Sequence, residues 1–164
     1  MADITADGKT RVYWVPAVAS QNAPTTTELN AGIDLTATLT ADGLSGFQPS
    51  TADVDVSSLA SVFTANVNGR TAFSNTQLTL KKQSGTDTIF TTLVRDAAGF
   101  LAIRRSVAQA TAWTSVQGLE VYPVVCEEVA RIDPAPNTVE RYVIGIKITA
   151  GAGGTGPSLR AAVA

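Results

Sequence analysis

Two runs of the chain alternate apolar and polar residues with a period of two. In residues 33–40, Ile33, Leu35, Ala37 and Leu39 interleave with Asp34, Thr36, Thr38 and Thr40, the pattern of a strand with one face on a core and the other wet. Residues 139–149 repeat it: Tyr142, Ile144, Ile146 and Ile148 fall on one face, and Arg141, Gly145, Lys147 and Thr149 on the other. Residues 119–132 are apolar at both parities around Val124, Val125 and Cys126, so the middle of that strand is expected to be covered on both sides. Between these last two runs, residues 133–138 hold two prolines, which fix φ and remove ladder donors. Residues 119–149 therefore predict a long β-hairpin, which needs further strands, a helix or another subunit to cover it.

The remaining elements follow from local signals. Residues 11–15 predict a short strand stopped by Pro16. Thr25, with Glu28 three residues on, fits a capping box, and Gly32 is placed to end a short helix over residues 26–31. Residues 73–83 resume the alternation, with Thr76, Leu78 and Leu80 on one face and Asn75, Gln77, Thr79 and Lys81 on the other. Ile89, Phe90, Leu93, Val94 and Ala97 recur at helical spacing behind Thr86 or Asp87 as cap and ahead of Gly99 as terminator. A strand over residues 100–105 and a loop over residues 106–118 carrying Trp113 lead into the hairpin. Residues 41–69 break the pattern with glycine, proline and aspartate, yet carry the apolar residues Leu44, Phe47, Val54, Leu59 and Phe63. Loops beyond about 15 residues are uncommon in compact domains, so this one predicts an arm that packs on something, with a strand possible from Val62. Residues 151–157 read as a flexible glycine-rich linker, and Leu159 and Val163 give the last six residues something to dock on a sheet edge or a neighbour. The predicted fold is one mainly β domain over residues 1–164: an antiparallel β-sandwich or half-barrel with one packed α-helix.

Composition narrows the function. The 164 residues include only 16% charged residues, and the net charge is −2, so much of the surface is expected to end in protein contacts, and nothing suggests tight nucleic-acid binding. There is no histidine and a single cysteine, which excludes an intramolecular disulfide, the common zinc sites and Ser-His or Cys-His nucleophiles. The run 151–156 lacks the Lys-Ser/Thr of a phosphate loop. Residues 53–57 open like a calcium loop but lack its glycine and terminal glutamate, and read as a solvated loop. Glu127 and Glu128 point to opposite faces of a strand and cannot act as paired glycosidase carboxylates. Cys126 reads as a small buried hydrophobe, and Trp14 and Trp113 as core or interface anchors. No enzyme, cofactor or metal site is expected. The N-terminus has no secretory pattern and no window of 18 apolar residues occurs, which predicts a product of the cytoplasm that neither enters a membrane nor leaves by the ordinary secretory route.

Residues 4–16 (ITADGKTRVYWVP), 23–47 (APTTTELNAGIDLTATLTADGLSGF), 73–105 (FSNTQLTLKKQSGTDTIFTTLVRDAAGFLAIRR), 139–148 (VERYVIGIKI) and the closing LRAAVA resemble the major tail tube proteins of long-tailed, siphovirus-type bacteriophages of actinobacteria. The resemblance spans nearly the whole chain and contains no catalytic motif. It implies a virion subunit, made in the host cytoplasm, whose sandwich closes into a ring barrel on oligomerisation. Hexameric rings then stack into a hollow tube for DNA ejection. Implied partners are other copies of the chain, the tape measure, terminator and distal tail proteins, and genomic DNA that passes without specific binding. On that reading Asp34, Thr36, Thr38, Thr40, Asn75, Gln77 and Thr79 face the lumen. Leu44, Phe47, Val54, Leu59 and Phe63 make the inter-ring arm, and Leu159 and Val163 dock the C-terminus. A contractile-tail tube, a tail terminator, a monomeric carbohydrate- or protein-binding sandwich and an unfamiliar enzyme remain the alternatives. Three Tyr and two Trp, well separated, make a poor aromatic platform for the binding module, and the absent histidine disfavours the enzyme.

Overall fold

The computed structural model describes residues 3–151 and 154–164. The chain is mainly β, with 41% of residues in strands and 7% in helix, and its sheets are antiparallel. In order the elements are β1 (Arg11–Val15), α1 (Thr26–Asn30), β2 (Ile33–Asp34), β3 (Leu39–Ser45), β4 (Ser50–Asp55), β5 (Asn66–Ala72), β6 (Gln77–Lys81), α2 (Thr88–Thr92), β7 (Ala98–Arg104), β8 (Gly118–Arg131), β9 (Arg141–Ile148) and β10 (Ser158–Ala162). The main sheet runs β2-β1-β7-β8-β9-β6-β3, with β10 added alongside β8, while β4 and β5 pair only with each other.

The predicted hairpin is the spine of this sheet. Strand β8 meets β7 through Glu120 to Val125 and β9 through Val124 to Arg131. On the β9 side the N-terminal end of β8 is taken by β10, with Ala161 opposite Leu119. A register shift between Cys126 and Val129 is a bulge, and it leaves both Glu127 and Glu128 exposed where strict alternation would have split them between faces.

One sequence expectation fails in an informative way. Residues 33–40 are not a single strand. Ile33 and Asp34 pair with β1, the chain turns at residues 36–38, and Leu39 then pairs with Leu80 of β6. The switch is pinned on both sides. The Leu35 N–H donates to the Val12 carbonyl, the Leu39 N–H to the Leu35 carbonyl, and the Lys81 N–H to the Thr38 carbonyl. The Thr36 hydroxyl accepts from the Val12 N–H, and the Thr38 hydroxyl donates to the Leu35 carbonyl. The two ends of the sheet are thus joined by one kinked segment, which closes the sheet into a small barrel filled with side chains.

That interior holds Val12, Trp14, Leu35, Leu78, Leu80, Leu101, Ile103, Tyr122, Val124, Tyr142, Ile144 and Ile146, all at most 3% exposed. Leu44 and Phe47 pack with them. Cys126 is buried there too, and desolvation pushes its thiol up to about 11, so it is a packing residue and not a nucleophile. Gly99 sits under the Trp14 indole, where a Cβ would lie 2.6 Å from the ring; it is a close-approach glycine within β7, and the expected helix ends earlier, at Thr92. Asp87 is the helix cap, accepting from the Phe90 N–H at 3.0 Å. Phe90 from this helix meets Tyr142 edge-on, with the Lys82 ammonium and the Arg131 guanidinium over its ring.

A second cluster covers the outer face of β1, β7 and β8: Tyr13, Val15, Leu29, Ala102, Trp113, Leu119, Val121, Ala161 and Val163. Helix α1 contributes Leu29 and begins with the expected capping box of Thr25 and Glu28. The loop over residues 105–117 is held by a buried cation. Arg104 is wholly buried and donates to the carbonyls of Ala108, Thr111 and Ala112 and to the Gln117 side chain, with its guanidinium 4.8 Å from the Trp113 ring. Loop carbonyls here replace the water such a charge would lose.

Asp87 gives a pH test. Burial alone would raise its pKa, but donors from the Gln83 and Phe90 backbone and from Lys82 outweigh that and hold it below the ordinary value. The folded-state value lies under the unfolded one, so its contribution is complete above about pH 4 and is lost as pH falls through the folded value. Asp87→Asn is expected to cost about 1–2 kcal/mol at pH 7 and to flatten the acid limb of a urea-denaturation series between pH 5 and 2.

Candidate assembly surfaces

Three regions bear on assembly, two that the fold builds and leaves uncovered and one that it docks. The first is the arm. Strands β4 and β5 form a free hairpin in which Val54 is opposite Val67 and Asp53 opposite Asn68, and every residue of the pair except Gly69 is exposed. Alternation makes the hairpin amphipathic. Val54, Val56 and Val67 share one face, and Asp53, Asp55, Asn66 and Asn68 the other. At its tip Leu59 and Val62 are fully exposed and Phe63 is 76% exposed. The tip is shaped by its own serines: the Ser57 hydroxyl accepts from the Ala65 N–H, and Ser61 bonds the Phe63 backbone through both donor and acceptor. Of the five residues expected in an assembly loop, Val54, Leu59 and Phe63 lie on this arm, whereas Leu44 and Phe47 belong to the barrel interior. The correction has a local cause: β3 extends to Ser45, and Gly46 turns the chain inward at a positive φ of 78°.

The second surface is the outer face of β9 and β6. Leu78, Leu80, Tyr142, Ile144 and Ile146 face the interior, so Gln77, Thr79, Lys81, Arg141, Val143, Gly145 and Lys147 face out, with Thr79 opposite Val143 and Gln77 opposite Gly145. Two of the three cations on this face lie near a carboxylate, whereas Lys81 has no ion pair among the described residues. Lys147 bridges Glu127 at 2.8 Å, and the Glu127 carboxylate crosses β9 where Gly145 has no side chain to obstruct it. Asp42 is held below its usual pKa by the Thr40 hydroxyl and its own backbone, with Arg141 adding to the effect. Of the seven residues expected on one lumen face, only Gln77 and Thr79 lie on this strand face, with Thr40 beside them through a hydroxyl contact to the Thr79 carbonyl. Asp34 is at the far end of the sheet beside Arg11, where it accepts from the Thr36 N–H. Thr36 and Thr38 bond within the closing turn, and Asn75 precedes β6 at a positive φ of 54°. The seven do not form one face because the segment carrying four of them changes partner.

The third surface is the C-terminal strand. β10 lies between β8 and the segment before α1: Ala162 and Ala164 donate to the carbonyls of Asn22 and Pro24, Val163 exchanges hydrogen bonds with residues 116 and 117, and its side chain is buried. Ala161 and Val163 anchor it, while Leu159, also expected to dock, is 40% exposed. Two residues of the glycine-rich run, 152 and 153, lie outside the described residues.

Against known proteins, the chain matches the model of the phage tail tube protein family over residues 1–158. No curated protein matches it. Among solved structures it is similar to a chain in the cryo-EM structure of the anti-feeding prophage baseplate, 6-fold symmetrised, with a TM-score of 0.60, 8% identity, and coverage of 91% of this chain and 94% of that one. At that identity the likeness is one of fold.

Because β4 and β5 pair only with each other and are exposed except at Gly69, replacing residues 51–71 with a short Gly/Ser linker is expected to shift the stability of the isolated subunit by no more than about 0.5 kcal/mol. A urea titration of both forms checks this; a large loss would mean that the arm helps to hold the barrel.

Proposed function

This chain belongs to the phage tail tube protein family, and is thus a structural component of a phage tail, from which we propose that it self-assembles into stacked hexameric rings that form the hollow tube for DNA ejection. The observation that carries the proposal is the combination of a packed barrel-like core with an amphipathic arm whose apolar face is exposed among the described residues. A monomeric binding module has no use for such an arm, which would be an aggregation liability. Six-fold symmetry is supported by the fold likeness to a component of a six-fold symmetrised baseplate. The overall pattern of the sequence favours a non-contractile tail of an actinobacterial phage. The same baseplate likeness favours, as second reading, the tube of a contractile tail-like system. Synthesis in the host cytoplasm and contacts with tape measure, terminator and distal tail proteins go with either reading.

Within the tube, the outer face of β6 and β9 is proposed to line the lumen, with Gln77 and Thr79 retained from the sequence expectation and Arg141, Val143 and Lys147 added. Thr40 stands at the edge of that face, and Asp34, Thr36, Thr38 and Asn75 lie away from it. Lysine and arginine on a lumen wall would repeat around every ring, and each free cation would release counterions from passing phosphates and slow the DNA. Pairing Lys147 with Glu127 and placing Arg141 by Asp42 reduces that attraction.

Negative-stain microscopy of the purified protein is expected to reveal rings or tubes, and the form lacking the arm to remain as dispersed subunits; a wild-type protein that stays monomeric at high concentration sinks the reading. Thr79→Lys is expected to leave folding and assembly intact and to impair genome ejection most at low salt, with Thr79→Ser as control. Normal ejection by Thr79→Lys phage at low salt would overturn the lumen assignment.

A further inference from the structure

We propose that the arm of one subunit seats its apolar tip in a groove on a second copy of this chain, between residues 6–12 and residues 36–44. The inference rests on the self-assembly reading and names the two surfaces that meet.

Six of the eleven large apolar side chains that stand exposed among the described residues lie on the arm: Val54, Val56, Leu59, Val62, Phe63 and Val67. Their uncovered surface is on the order of 800 Å², which is what each partner of a stable interface buries. A strand pair with the alternation of a half-buried sheet and nothing to bury against is half of an interface.

The groove supplies the other half. It has a volume of about 600 Å³; Leu39 and Leu44 give it an aliphatic stripe with Ala37 and Ala41 exposed at its mouth, and polar side chains, Asp7 and Thr40 among them, share its wall. It exists because the closing segment kinks: the turn at residues 36–38 and the irregular register between Leu39 and Leu44 hold the chain away from the N-terminal segment. At its edge Arg105 is fixed by two hydrogen bonds to Glu120, at 2.9 and 3.2 Å, and Tyr122 donates to the same carboxylate. The rim is therefore set before any partner arrives, which lowers the ordering cost of binding. A side chain as large as Phe63, flanked by Leu59 and Val62, fits the aliphatic stripe of this concave site. Arm and groove are different patches of one chain, so the contact is heterologous and propagates from copy to copy, as rings or stacks require.

The test uses the full chain with two single substitutions, Phe63→Cys and Ala37→Cys, at positions exposed in the free subunit. Mixed and treated with a mild oxidant during assembly, they are expected to give a disulfide-linked dimer at least tenfold faster than Phe63→Cys mixed with Val116→Cys, whose site is equally exposed but lies on neither surface. The native Cys126 is buried and stays silent. A second arm uses charge: Phe63→Asp can receive but not donate, Ala37→Glu can donate but not receive. Each alone is expected to lose tubes, and their mixture to stop at small complexes. If the wild type forms tubes while the 37–63 disulfide is no faster than the 116–63 control, the groove assignment falls and the tube reading stands. If Ala37→Glu and Phe63→Asp both form normal tubes, the inference falls as well. A wild type that never assembles overturns both.

Discussion

A sheet can close on itself only if its first and last strands are brought together, and here one thirteen-residue segment does so by belonging to both. Residues 33–45 begin as the partner of β1 and end as the partner of β6. The change of partner needs the backbone groups at the kink to be satisfied as they leave one ladder for the other. The hydroxyls of Thr36 and Thr38 and the Leu35 and Thr38 carbonyls do this. The cost of exposing those groups in a buried corner would be about 1–3 kcal/mol each. With the ends joined, Leu35 and the side chains around it become a packed interior, and the second edge of β3 is left open beside the groove.

Closure also explains why the other layers are where they are. The barrel interior uses one face of β1, β7 and β8, and their other face still carries Tyr13, Val15 and Val121. Helix α1, the Trp113 loop and the C-terminal strand cover it. The loop has little secondary structure of its own, and its order comes from Arg104, whose buried charge is surrounded by three loop carbonyls and a glutamine. Arg11 reinforces the same loop through the Thr111 carbonyl and lies over the Trp113 ring. Removing Arg104 would take four hydrogen bonds from this loop at once.

A packed barrel with a sealed outer layer has few surfaces left for function, and those it leaves are distinct in character. The arm is apolar on one face, the β6–β9 face is polar with two of its three cations near a carboxylate, and the groove beside the kink is concave with an aliphatic stripe. The first and third suit adhesion between copies of a structural protein. The second suits contact with water and with something that must not stick.

Much of the fold is legible in the residues alone. The strands β1, β7, β8 and β9, the β8–β9 hairpin and both helix caps follow from signals confined to a few neighbours: period-two alternation, prolines in a turn, Thr25 with Glu28, and Asp87 before an apolar run. The candidate surfaces are less so. Alternation over residues 33–40 is identical whether the segment keeps one partner or changes it, because a side chain's direction depends on the strand and not on who pairs with it. In the same way Leu44 and Phe47 have the composition of Leu59 and Phe63, yet the first two pack into the core, Leu44 beside Leu78 on the adjacent strand and Phe47 edge-on to Tyr122, while the second two stand exposed. Burial depends on what lies opposite, and what lies opposite is set by residues thirty to eighty positions away. The sequence by itself determined most strands of the main sheet and where the first helix begins; the tertiary structure decided which apolar residues are core and which are left uncovered, because only the folded sheet fixes what there is to be covered by.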